Sequence, residues 1–419
     1  MNSLFKMAWR NLGRHRSRTL LSILAVFCGV LVLILFKGVM DGMIDSAVNT
    51  NINLNSGHVR LIRPEYEVKE KLHSLAYPVG ENGKSYSELI QEIRRLPGVK
   101  MAEGRIRFGM ILAVGDLNET VMGIGIDPKA EEKISHLSMY LRDQGAGRLP
   151  VAGRQEIVLG NKLLHELHLN VGDKVNALFS TSMASFKVAT FTIVGKMASG
   201  LNFLDEYAAY IPLDQAMNLL EMPDMVTEIV VYGHNTGDSG ALMKTLHGYL
   251  ASDKEQLKVI PWDRYSEVIS SFEKMKVIFN FFYILIIILA SFVLFNTLMM
   301  VVAERTREIG VLTAMGMTYR DIRKLFLYEG LMVAVIGSLT GTMIGGGFNW
   351  LIAQNGIDLS RIMGLMPTNV VMLPKIYPSY DVSILLFSFF IGVCVTMVAA
   401  FIPARRAALL NPTEALRTI

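Results

Sequence analysis

Residues 277–302 read VIFNFFYILIIILASFVLFNTLMMVV, an unbroken run without one charged side chain. About 20 apolar residues suffice for a helix to cross the hydrocarbon of a bilayer. Core helices of soluble domains rarely stay uncharged for so long, so this run is read as a membrane span. Three more runs have the same character: Thr19–Phe36, Gly330–Ile352 and Val382–Ala404. Composition agrees, with 51% hydrophobic and only 19% charged residues, against about 25% charged in soluble domains. That excludes a disordered chain and argues against an ordinary soluble enzyme. A net charge of +4 is small for 419 residues, so no nucleic-acid partner is expected. Cys28 and Cys394 both lie inside apolar runs, without metal-ligand spacing or a disulfide framework.

The first run follows Lys6, Arg10, Arg14, Arg16 and Arg18, the basic start of a signal peptide. It is long for a signal core, however, and no A-x-A cleavage site follows it, so a retained anchor is favoured. Charge sets the orientation. The segment between spans two and three carries Arg305, Arg307, Arg320, Arg323 and Lys324, and the tail carries Arg405, Arg406 and Arg417. Only Arg361 and Lys375 lie between spans three and four. By the positive-inside rule both termini are cytoplasmic.

The fold class is therefore an integral membrane α-helical protein with four transmembrane helices. A large extracytoplasmic α+β domain is inserted between helices 1 and 2. The expected order is a cytoplasmic segment 1–18, helix one 19–40 and an external domain 41–275 with helical stalks at both ends. Helix two 276–302, a cytoplasmic segment 303–329 and helix three 330–352 follow. An external loop 353–381, helix four 382–404 and a cytoplasmic tail 405–419 complete it.

Inside the external domain, alternating or β-branched runs at 57–62, 105–112, 186–194 and 227–232 predict strands. Helical periods at 86–96 and 162–169 end at Pro97-Gly98 and Val171-Gly172-Asp173. The glycine-rich stretch Gly145–Gly153 is the expected boundary between two lobes. On the stalks, Met40, Met43, Ile44, Ala47 and Val48 recur at helical spacing, as do Tyr265, Val268, Ile269, Phe272 and Met275. Each stripe either packs on the domain or the other stalk, or the stalks of two chains enclose an apolar, methionine-rich cavity just above the membrane. In the second case Met40, Met43, Ile44, Ile269, Phe272 and Phe279 are its candidate lining, and methionine suits an irregular acyl-bearing ligand.

Three motif near-misses are set aside. Residues 78–85, PVGENGKS, have proline where a phosphate loop has its first glycine, and they fall in the external domain. His165 and His168 are three apart, not the four of a zinc-protease helix, and Gly123-Ile-Gly125 lacks the rest of a dinucleotide fingerprint. No nucleophile, base and orienting group can be assembled, so the chain is read as a non-catalytic subunit with no metal.

The cytoplasmic segment is more informative. Residues 304–317 read ERTREIGVLTAMGM, a short charged helix broken at Gly316, and Thr318 to Asp321 offers a cap for a new helix. Ile309, Leu312 and Met315 form an apolar edge beside Arg305, Arg307 and Glu308, which reads as an exposed docking face. Span three carries Gly337, Gly341 and Gly345, and span four carries Ser388, Gly392, Thr396 and Ala400, each a ridge of small residues. Such ridges let helices approach closely in lipid, here within one protomer.

The stretch 304–317, the ending IPARRAALLNPTEAL at 402–416 and the start AWRNL at 8–12 together resemble the FtsX-like permeases of type VII (mechanotransmission) ABC transporters. Length, stalks and the stretch 156–175 are most similar to the lipoprotein-releasing (Lol) branch. The resemblance implies that Glu304, Arg305, Thr306, Arg307, Glu308, Ile309, Gly310, Leu312, Ala314, Met315 and Gly316 form a coupling helix docking on a separate ATPase. ATP and Mg would then be bound by that ATPase subunit, with no cofactor on this chain. It further implies a second copy or related permease, a lipid-anchored substrate such as a lipoprotein, and a periplasmic carrier or adaptor. The location would be the bacterial inner membrane. Two other roles stay open: export of an amphiphile or peptide through an adaptor and outer-membrane duct, and signalling to a cell-wall hydrolase.

The orientation is testable by labelling. A cysteine replacing Ser85 should react with a membrane-impermeant thiol reagent in intact spheroplasts, and one replacing Thr318 only after permeabilisation. The reverse pattern would overturn the assignment from charge.

Overall fold

The structure is a computed structural model describing residues 3–14, 16–81, 83–115, 117–134, 137–142, 146–199, 201–252, 256–264, 266–358 and 375–410. It divides into two compact units. One takes residues up to 45, 272–358 and those from 375 onward; the other takes 46–271. The chain opens with α1 (Ser3–Arg14) and continues in α2 (Arg16–Asn51), 36 residues long. At 1.5 Å per residue α2 measures about 54 Å, well over the ~30 Å of hydrocarbon a span must cross. A π-helical turn, Ile52–Ser56, prolongs it to Gly57. There φ is +62°, and a Cβ would stand 2.2 Å from Cγ1 of Val230, so the turn needs glycine.

In chain order the second unit contains β1 (Val59–Ile62), α3 (Pro64–Lys69), α4 (Tyr86–Ile93), β2 (Met101–Val114), β3 (Leu117–Ile126), α5 (Pro128–Ile134), α6 (Leu137–Arg142) and β4 (Ala146–Gly147). Then come β5 (Glu156–Gly160), α7 (Asn161–Glu166), β6 (Lys174–Ser180), β7 (Phe186–Met197), α8 (Asn202–Tyr207), β8 (Ala208–Pro212), α9 (Leu213–Leu219), β9 (Glu228–Tyr232), α10 (Ser239–Ser252) and β10 (Lys258–Pro261). Strand β2 organises them. Its first half, Met101–Arg105, pairs with β9, and the sheet continues through β1 to β10. From Ile106 onward it pairs with β3, and over residues 110–113 its other side pairs with β6. Pairing then runs from β3 through β8, β5 and β7 back to β6, so six strands close on themselves. A closed ring leaves no unpaired edge. Strand β6 alternates, with Val175, Ala177 and Phe179 turned inward. Strands β5 and β8, each with a parallel neighbour, are buried at every position.

The lobes do not part at Gly145–Gly153. Gly145 lies outside the described residues, and Ala146–Gly147 is a strand hydrogen-bonded to β7. Strands from before and after this stretch join in one ring, as β3 beside β8 and β2 beside β6 show. The change of lobe falls inside β2, between Arg105 and Ile106. Glycine content reports local turns and is blind to long-range pairing, which is why the boundary was misplaced.

The other unit adds α11 (Ser266–Glu304), α12 (Thr306–Ala314), α13 (Tyr319–Asn355) and α14 (Val382–Ala408), with a two-stranded hairpin of β11 (Ile357–Asp358) and β12 (Lys375–Ile376). Together with α2, the helices α11, α13 and α14 are long and apolar enough to cross a membrane. Gly337, Gly341 and Gly345 of α13 face α2. A Cβ on Gly337 would stand 2.7 Å from Cβ of Val26, and one on Gly341 2.9 Å from the Phe27 carbonyl oxygen. At Gly345 it would meet Ile34 and Leu31 at 3.3 Å. Gly392 of α14 closes the triangle, 2.5 Å from Val30 and 2.6 Å from Ser338 by the same construction. Without side chains at these points, α2, α13 and α14 approach backbone to backbone. Helix α11 is different. Val277, Phe281, Ile288 and Phe292 are each more than half exposed, leaving an uncovered apolar surface.

A network of buried charge lies where β2 changes lobe. Arg105 donates to the Leu54 and Asn55 carbonyl oxygens at 3.1 and 2.8 Å, and Arg107 to the Asn55 carbonyl and side-chain oxygens at 2.7 and 2.8 Å. These are carbonyls at the end of the α2 turn, where helical partners run out. Glu228 answers two guanidiniums, Arg107 at 2.6 Å and Arg60 at 2.8 Å. Arg105 also meets Glu131, Glu103 and the Tyr232 hydroxyl, and Arg60 meets Glu70. Burial would raise the Glu228 carboxyl, but Arg107 and Arg60 more than offset it and hold it at about 2. Glu103 goes the other way: burial, then the neighbouring Glu131, push it well above the usual carboxylate range.

The two glutamates should therefore respond oppositely. Glu228→Gln leaves two buried cations short of a counter-charge and should cost about 3–5 kcal/mol in unfolding measurements. Glu103→Gln copies the protonated form and should be close to neutral. Because the folded Glu228 carboxyl is depressed, its contribution is present above the ordinary carboxylate value and is lost as pH falls toward 2. Acid sensitivity in that window should be smaller in Glu228→Gln; equal losses in both variants would refute the assignment.

Candidate functional site

Helix α11 ends at Glu304, and Arg305 leaves helical geometry before α12 begins. Arg305 is 7% exposed. It donates to Glu308 at 3.0 Å and to Glu329 of α13 at 2.7 Å, and its guanidinium lies 5.4 Å from the Phe326 ring centre. The second Glu329 oxygen accepts from Asn11 of α1 at 2.7 Å. One carboxylate thus ties α1, α13 and the start of α12 together. Gly316, at φ +97°, ends this segment, and the Thr318 hydroxyl caps α13 by accepting from the Asp321 backbone N–H.

The apolar edge expected to face outward is largely used inward. Ile309 is 1% exposed and packs with Val302, Ile322, Phe326 and Ala404. Leu312 is half-buried beside Ala8, Leu325 and Tyr328, and Gly310 is buried. Of that edge only Met315 is exposed, at 71%. The outward face is formed by Arg307, Val311, Ala314 and Met315 at helical spacing. A short helix folded back between α11 and α13 must bury one face on its neighbours, and this one buries its most apolar stripe.

At the other end of the same unit, α2, α11 and α14 enclose a cavity of about 280 Å3. Met40, Ile44 and Phe279 line it, as do Phe36 and Tyr283, with the ammonium groups of Lys37 and Lys276. Lys37 is paired with Asp41 at 3.0 Å and lies 5.9 Å from the Phe387 ring centre. Apolar walls combined with the charged side chains of Lys37, Asp41 and Lys276 suit an amphiphile. Met43 does not line this cavity; it is buried at 7% exposure. The side chains of Ile269 and Phe272 lie outside the described residues. Asn349 and the 377–379 segment, which patterning did not single out, brace the cavity's first wall. Ser379 donates to the Gly38 carbonyl at 2.8 Å and its own carbonyl accepts from Asn349 at 2.9 Å. The Tyr377 carbonyl sits where a Cβ on Gly42 would be.

Two family patterns account for this arrangement. The MacB-like periplasmic core domain matches residues 19–247, more than half of the chain, and the FtsX-like permease C-terminal matches residues 280–412. The chain belongs to the FtsX-like permeases of type VII ABC transporters. The lipoprotein-releasing system transmembrane protein LolC of Xylella fastidiosa is 25% identical to this permease over 94% of this chain and 92% of its own length. LolE of Haemophilus influenzae is 22% identical over 99% of each chain. The macrolide export ATP-binding/permease protein MacB of Psychrobacter arcticus is 21% identical over 98% of this chain, which spans 59% of that protein.

Burial in this permease sets a clear contrast on α12. Ile309→Asp places a carboxylate without a counter-charge among apolar side chains and should cost several kcal/mol, about 3 or more. Met315→Asp should stay within about 0.5 kcal/mol of the native protein. Thermal unfolding in detergent distinguishes them; equal losses would mean that α12 is rotated.

Proposed function

We propose that this permease extracts lipid-anchored proteins from the outer leaflet of the inner membrane and passes them to a periplasmic carrier. The observation that carries the reading is the cavity lined by Met40, Ile44, Phe279 and Tyr283 together with Lys37, Asp41 and Lys276. Acyl chains fit its apolar walls, and the anionic phosphates of surrounding lipid suit its cations. Full-length similarity to LolC and LolE supports the same substrate class. The outward face of α12, with Arg307, Val311, Ala314 and Met315, is then the surface that engages the ATPase from the cytoplasm. Met315→Asp, though folded, should lose that subunit on copurification. Helix α11, with Val277, Phe281, Ile288 and Phe292 exposed, is the surface for a second permease. A motion begun at α12 reaches α11 through Arg305 and reaches α2 through α13. From there α2 continues without interruption to Asn51 and its arginine-held end. The match to MacB over nearly the whole chain favours a second reading, export of an amphiphilic small molecule with an adaptor.

A photo-crosslinker at Ile44 or Phe279 should trap a lipoprotein, and ATP should discharge it. Ile44→Asp sets a charge on the acyl path at a cost of about 3 kcal/mol, which corresponds to roughly 100-fold weaker loading. Basal ATP hydrolysis should persist, because α12 is remote from the cavity. If crosslinks form only to the facing helix of the same chain, the cavity is plain packing and the reading fails.

A further inference from the structure

We propose that the outward face of α1 is a binding surface for anionic phospholipid headgroups at the membrane boundary. The helix has two distinct sides. Inward, Ala8 is fully buried with Leu325 and Met332, Phe5 meets Tyr328 edge to face at 5.9 Å, and Asn11 holds Glu329. Outward, Lys6, Arg10 and Arg14 recur at intervals of four and form one exposed row. Among the described residues none of the three has a carboxylate partner. Beside the row, Trp9 is 60% exposed. Folding gains nothing from an indole left in water, whereas at a membrane surface its ring sits at headgroup level.

A second observation fixes the depth. Just past α1, Leu20, Leu21 and Leu24 of α2 are each about half exposed or more, at 65%, 61% and 49%. Hydrocarbon therefore begins within two turns of the basic row. Lys6, Arg10 and Arg14 stand where lipid phosphates stand, and a basic helix with an aromatic flank lies in that plane. Anionic headgroups complement the row better than zwitterionic ones, whose choline or ethanolamine carries an opposing charge. The lipid so held acts on more than α1. Asn11 joins it to Glu329 and so to Arg305, the first residue of the α12 segment.

The surface can be tested independently of any transport substrate. Trp262→Phe and Trp350→Phe leave Trp9 as the sole indole of the full chain. In nanodiscs, brominated phosphatidylglycerol should quench Trp9 more than brominated phosphatidylcholine at the same mole fraction. The expected enrichment is about twofold or more, falling as salt screens the row. Lys6→Gln, Arg10→Gln and Arg14→Gln together should abolish the preference while quenching by either lipid persists. Equal quenching by both lipids in the chain with its basic row intact would overturn the proposal, as would no quenching by either.

Discussion

The carbonyl oxygens of Leu54 and Asn55 have run out of helical partners, and the buried guanidiniums of Arg105 and Arg107 take them. Leaving such groups unpaired in a protein interior costs about 1–3 kcal/mol each. Burying two arginines to satisfy them is tolerable only because Glu228 and Glu131 sit against the guanidiniums. Every partner in that arrangement constrains the others, so the end of α2 has one position relative to β2. Strand β2 is also the one strand common to both lobes. The clamp thus fixes the stalk's end to the seam of the α+β unit, where a displacement of the helix is shared by the four-stranded sheet and the six-stranded ring.

In the membrane unit the corresponding constraint is close approach. Helices α2, α13 and α14 meet through glycines that admit no side chain, while α11 meets α2 less closely, with Ala290 at van der Waals distance from Gly29 and Phe295 against the Val26, Val30 and Ile34 cluster. Three helices are held by packing that no small shift can accommodate, and one remains free on most of its surface. That contrast suits a permease that changes shape at α11 rather than one that conducts a substrate between its own helices.

Much of the architecture was legible in the sequence because lipid imposes a crude rule: spans must be long and uncharged. The strand containing residues 105–112 was legible too, but not what its arginines do. Glu103, Arg105 and Arg107 fall at i, i+2 and i+4, one face of a strand, and that period was the available signal. Burial rules assign charges to the surface, and Glu228 is 121 residues from Arg107, so no local pattern joins them. On α12 the apolar stripe that reads as a docking face packs instead on α13 and α14. A stripe declares that something covers it, not what. On α2 the same ambiguity separated Met40 and Ile44, which line the cavity, from Met43, which does not.

The most direct measurement of the proposed function is a reconstituted release assay. Proteoliposomes would hold this permease, any second permease required and the ATPase, together with a lipid-anchored protein and a soluble carrier outside. The expected result is ATP-dependent appearance of the lipoprotein in the soluble fraction, bound to the carrier and absent with a non-hydrolysable nucleotide. ATP hydrolysis that leaves the lipoprotein in the membrane, yet is stimulated by an amphiphilic small molecule, would contradict lipoprotein release and favour export.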